Sequence, residues 1–129
     1  MLRRAVLISS LSLCALVTAF GLAHAYTPPA ASATPTPAMK AKVDSASKAH
    51  ALAETQLKSG MGSVEAVYLW SRRWADAQRA TGVASASTDH VKRMQSLEAV
   101  VKTRVAAGPL GAIDGYAAAY YVAEAEAGP

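Results

Sequence analysis

From Met39 onward apolar side chains recur every three or four positions, and breaks in that rhythm divide the chain into four helical segments. The first runs from about Met39 to Ser59. Val43, Ala46, His50, Ala53 and Leu57 repeat at 3-4-3-4 spacing, a heptad seam. Gly60-Met61-Gly62 ends it, because glycine enters turn conformations at low cost. The second segment starts at Ser63, a good N-cap, with Glu65 in the first turn where the helix dipole favours an acid. Val64, Val67, Tyr68, Ser71, Trp74, Ala75 and Gln78 share one face, Arg72 and Asp76 form an i,i+4 pair on the other, and Thr81-Gly82 closes the helix. The third follows a loop of small residues, with Ser87, Thr88 or Asp89 as cap. Val91, Met94, Leu97, Val101 and Val105 fall within roughly 120° of one face. Asp89–Arg93 and Glu98–Lys102 are solvent-side pairs, and Gly108-Pro109 is the stop. The fourth runs from about Gly111 to Ala127, with a stripe of Ile113, Tyr116, Ala117, Tyr120 and Ala123 flanked by Tyr121. No stretch alternates as a strand does, so the expected fold is all-α: antiparallel helical hairpins or a small helix bundle over residues 39–129.

Two different patterns precede the helices. Residues 1–25 have the three parts of a secretory signal peptide: Arg3 and Arg4, an apolar run from Ala5 to Leu22, and Ala23-His24-Ala25 as cleavage site. Cleavage is expected after Ala25, leaving no membrane span. Cys14, the only cysteine, follows Leu13 in the middle of the apolar run, which does not fit a lipoprotein signal. Residues 26–38 read YTPPAASATPTPA. Four prolines cannot sit in a helix or bury a core, so this is a disordered Pro/Ala/Thr tether. The expected destination is the periplasm or the exterior.

After cleavage the chain holds 11 Lys/Arg against 9 Asp/Glu, a net charge of +2, and no cysteine. Such a balance gives no reason to expect a nucleic-acid partner, and no disulfide can brace the fold. Many inward positions are alanine, which buries far less than a leucine at roughly 1.5–3 kcal/mol. A domain of this size is near the lower limit for one core, so self-association or docking on an envelope partner is expected to complete the packing.

The sequence also echoes itself. Gly60, Tyr68, Trp74-Ala75 and Asp76-Ala77 stand 48 residues before Gly108, Tyr116, Val122-Ala123 and Glu124-Ala125, which implies two stacked helix–turn–helix units. The stretches GMGSVEAVYLWSRRWADAQ and GPLGAIDGYAAAYYVAEAE resemble the helical-hairpin repeat of TolC-type outer-membrane efflux proteins. The stretch DHVKRMQSLEAVVKTRVAAG between them is similar to a long coiled-coil helix of the same kind. The resemblance covers about Leu57 to Ala127 and implies helical hairpins in an envelope compartment. The chain is too short for that family's tunnel and has no barrel strands, so the conduit function does not carry over. WSRR and HVKRM also resemble small exported helical proteins, which implies a fold and compartment and no activity.

Candidate chemistry is sparse. His50 and His90 would meet if the first and third helices pack side by side, with Met39, Met61 or Met94 as soft ligands, but no HxxxH or CxxC spacing supports a metal site and none is assigned. Ser71, Asp76 and a histidine assemble into a triad on paper, yet no nucleophile elbow, phosphate loop or carboxylate pair is present, so no catalytic residue or cofactor is assigned. Trp70 and Arg73 suit a cation–π platform, and Tyr116, Tyr120 and Tyr121 suit half-buried contacts with a partner. These five form the candidate interaction surface. The expected role is a non-enzymatic structural or protein-interaction module of the cell envelope. The alternatives are a periplasmic stress- or metal-responsive binding protein or chaperone of the helical-hairpin type, and an accessory piece of an efflux assembly. The LTxxQ motif of one such chaperone family is absent.

Overall fold

A computed structural model describes residues 34–128. The signal peptide and most of the tether lie outside them. Four helices follow in order, α1 (Pro37–Ser59), α2 (Val64–Ala80), α3 (Ala86–Ala106) and α4 (Ala112–Ala127), with no strand among the described residues. The fold is all-α, as the periodicity predicts.

Helix boundaries follow local hydrogen-bonding needs. Thr36 caps α1, its hydroxyl oxygen accepting from the Met39 N–H at 3.2 Å, and Pro37 takes the first helical position. Proline lacks only an N–H that would be unpaired there. The helix therefore begins two residues earlier than expected, and Pro37 and Ala38 belong to it and not to the tether. At the other end Gly60 adopts φ +81°, and a Cβ on Gly62 would lie 2.7 Å from the Leu57 nitrogen, so this turn requires glycine. Arg104 then donates from Nη1 to the carbonyls of Leu57 at 2.7 Å and Lys58 at 2.5 Å, satisfying the end of α1 from α3. Ser63 caps α2 as expected, accepting from Ala66 N–H at 3.1 Å. α3 starts sooner than expected, with Ser85 at the N-cap and Ser87, Thr88 and Asp89 inside the helix. Ala86 is buried, so the chain becomes helical as soon as it rejoins the interior.

Short connections make successive helices antiparallel. α1 packs on α2, α2 on α3, and α4 on both α3 and α2. The backbones of α1 and α3, which run parallel on either side of α2, do not approach one another. The core joins Ala53 and Leu57 of α1, Val64, Val67 and Tyr68 of α2, Met94, Leu97 and Val101 of α3, and Ala118 of α4. In the first three helices the expected faces point inward, with Val43, Trp74, Gln78, Val91 and Val105 half-buried at their margins.

α4 departs from expectation. Ile113, Tyr116, Tyr120 and Ala123 face outward, while Ala118 is buried and Tyr121, Val122 and Ala125 pack at the core edge. Ala118 lets α4 come close, and Tyr121 stacks on Tyr68 with ring centroids 3.9 Å apart. Two expected ion pairs also differ. Arg72 reaches Glu124 of α4 at 3.4 Å instead of Asp76, which pairs with Arg79. Arg93 turns inward and leaves Asp89, whereas Glu98–Lys102 forms at 2.9 Å. Tertiary partners outweigh helical spacing here because an exposed i,i+4 pair contributes only about 0.3–0.5 kcal/mol.

Candidate functional site

The five residues nominated from the sequence fall into three settings. Arg73 places its guanidinium 4.7 Å from the centroid of the Trp70 ring, forming the candidate cation–π pair. The pair borders a shallow cavity of about 390 Å³ beside Lys42 and Ser45 of α1. Tyr116 and Tyr120 stand on the outside of α4. Tyr121 is half-buried against Tyr68 and belongs to the core edge, so it is not a free contact residue.

The outward face of α4 is the most apolar exposed feature. Ile113 is 75% exposed, Tyr116 74% and Tyr120 64%. With Ala123 and Ala127 they repeat at 3-4-3-4 spacing, the seam by which one helix packs against another. Solitary exposed apolar residues are ordinary on a protein surface; a heptad run of them on one helix is not. α4 carries three acids, Asp114, Glu124 and Glu126, and no basic residue.

A polar cluster lies between α2 and α3. Ser71 is fully buried, and its hydroxyl is 2.9 Å from His90 Nδ1. Arg93 donates from Nε to the same hydroxyl oxygen at 2.8 Å and from Nη2 to the Ser71 carbonyl at 3.4 Å. The hydroxyl oxygen accepts from Arg93, and the tautomer of His90 sets the direction of the bond to its Nδ1. A serine that accepts from a guanidinium loses nucleophilicity, and full burial leaves no route for an acyl carbon to its oxygen. Asp76, the acid of the paper triad, is bound to Arg79 and makes no hydrogen bond to His90. The cluster works as a tie between helices.

His50 and His90 do not meet. His50 packs on Trp74 with centroids 5.7 Å apart, and His90 on Tyr68 at 6.4 Å. Arg93 separates these contacts, bonding Ser71 while its guanidinium covers the Trp74 ring at 4.2 Å. Among the described residues no three His, Cys, Asp or Glu side chains cluster as metal ligands would. Met94 is sealed in the core and Met61 is exposed. Burial holds both imidazoles below their ordinary range. At His50 the Glu54 carboxylate opposes that shift and Arg93 adds to it. At His90 Arg93 and Arg79 add to it, against Asp76 and Glu124.

Beside this cluster a groove of about 530 Å³ opens between α1 and α3, floored by Trp74 and Gln78 of α2. Arg93 is the residue that sequence reasoning missed. It borders the Met94 stripe, but periodicity locates only a Cα, and a long side chain at a stripe margin can turn either way.

The class defined by this architecture is a small all-α protein of two joined helical hairpins with an open apolar seam on its last helix. No protein-family model, curated protein or solved structure matches the chain.

Proposed function

We propose that the protein is an exported, non-enzymatic interaction module of the cell envelope that docks a helix of another protein along α4. The observation that carries this reading is the heptad-spaced, solvent-facing run of Ile113, Tyr116 and Tyr120. The occupant is an amphipathic helix whose apolar seam is flanked by Lys or Arg. Charge complementarity favours it: α4 carries no basic residue, and while Glu124 is held by Arg72 and Asp114 by the Gly111 N–H, Glu126 meets only the neutral Gln95 and keeps an unpaired charge. A second copy brings no α4 cation to meet Glu126, and an anionic lipid surface brings none either. Two tyrosines and one isoleucine bury on the order of half the 800 Å² per partner typical of a stable complex. The docking is therefore of the weak, reversible class. No described helix is long and apolar enough to cross a membrane.

The test uses the signal-free chain and two designed helical peptides sharing one leucine seam, flanked by lysine in one and glutamate in the other. The lysine peptide is expected to shift amide resonances of α4 in a saturable way, and Tyr116→Ser/Tyr120→Ser to abolish the shift. Equal response to both peptides, or a response that survives the double substitution, defeats the reading. A mass that doubles with concentration and reverts in the double variant would replace the foreign helix with a second copy.

A further inference from the structure

The groove between α1 and α3 holds a concentration of unmet hydrogen-bonding groups. Among the described residues four buried side-chain polar atoms lack a protein partner, and three of them, His50 Nε2, Trp74 Nε1 and Gln78 Oε1, belong to residues lining this groove. His50 is only 4% exposed. Leaving such an atom unpaired costs about 1–3 kcal/mol, so three in one place mark a site where something else completes the bonding. The groove exists because α1 and α3 pass on either side of α2 without closing. Towards their C-terminal ends Arg104 draws them together through the Leu57 and Lys58 carbonyls. The volume lies in the range of small-molecule sites.

The donor and acceptor inventory narrows the ligand. An indole N–H only donates and an amide oxygen only accepts, so Trp74 needs an acceptor and Gln78 a donor. The walls repeat the same duality in charge. Lys92 and Arg93 provide two cations, Glu54 and Asp89 two anions. Arg93 uses Nε and Nη2 on Ser71, and its Nη1 makes no hydrogen bond to a described residue. We propose that this groove binds a small zwitterion, a free amino acid or a short peptide. Its carboxylate lies against Arg93 Nη1 and Lys92 and its ammonium against Glu54 and Asp89, while the Trp74 N–H and the Gln78 amide oxygen, buried just beneath, reach the two ends by small side-chain rotations. His50 Nε2 meets one end, donating to the carboxylate in one tautomer or accepting from the ammonium in the other. A molecule bearing one charge alone would leave two wall charges and one floor atom unmatched. The site lies on α1, α2 and α3, so it stands independently of docking on α4.

The test uses the signal-free chain with Trp70→Phe, in which Trp74 is the sole tryptophan and is excited selectively at roughly 295 nm or above, beyond tyrosine absorption. The probes are L-leucine and glycyl-leucine, compared with N-acetyl-leucine and leucine amide, which lack the ammonium and the carboxylate respectively. Either zwitterion is expected to change Trp74 emission saturably below roughly 10 mM, with both single-charge analogues at least about tenfold weaker. Lys92→Glu and Glu54→Gln, both on the groove walls, are each expected to weaken the zwitterion about tenfold while helicity by circular dichroism is unchanged. No saturable response to either zwitterion, or equal binding of the acetylated or amidated analogue, overturns the proposal. So does binding that is indifferent to both substitutions.

Discussion

α2 and α4 are the second helices of the two hairpins, and their sequences echo one another across 48 positions, yet equivalent residues live in opposite environments. Tyr68 is 7% exposed and hydrogen-bonds Glu124 at 2.8 Å, while its counterpart Tyr116 stands in solvent. The difference comes from position in the fold. α2 touches all three other helices, so whatever its pattern offers is met by a neighbour. α4 lies at the edge against α3 and α2 alone, and half of its circumference has no protein against it. α4 is also apolar nearly all round, so several faces compete to point inward. The face that wins carries the small residues Gly115 and Ala118, together with the Tyr121–Tyr68 stack and the Glu124 bonds to Tyr68 and Arg72. Close approach and satisfied polar groups outweigh the burial of two more tyrosines.

The sharpest way to break this comparison is to truncate the matched tyrosines. Tyr68→Ala should lower unfolding free energy in urea by about 3–5 kcal/mol, as for large buried aromatics. Tyr116→Ala should change it by less than about 0.5 kcal/mol. Equal losses would mean that α4 is turned the other way. Next in size, Ala118→Leu should cost about 1–3 kcal/mol, because a longer side chain pushes α4 off α3. A neutral or stabilising result there would place the α4 contact elsewhere.

Ser71→Ala should also cost about 1–3 kcal/mol in the same assay, since His90 and Arg93 both lose a buried partner. The two histidines of this region give a pH signature. Their folded-state values lie below the unfolded value, so the unfolded chain takes up protons first as pH falls. Stability is then complete above about pH 6.5 and declines as acid drives the pH down through the lowered folded-state values. His50→Gln/His90→Gln should flatten the dependence between about pH 7 and pH 5, and an unchanged slope would remove the histidines as its cause. A smaller loss than for Tyr68→Ala is expected for Tyr68→Phe, about 0.5–1.5 kcal/mol, from loss of the hydroxyl bonds to Glu124 and Arg72 with the ring stack intact.

The repeat spacing of Ala46, His50, Ala53 and Leu57, the Ser63 cap and the Met94-Leu97-Val101 stripe were sufficient to place three helices and their inward faces. Each rests on a local cause: one strongly apolar stripe beside a polar one, or a side-chain oxygen within reach of a free helix N–H. The Trp70–Arg73 pair was legible for the same reason, since its partners lie three residues apart on one helix. The orientation of α4, the inward turn of Arg93, the separation of His50 from His90 and the groove beside them were decided by tertiary structure. Each depends on which of several comparable contacts a neighbouring helix supplies, and periodicity along one helix carries no information about its neighbours.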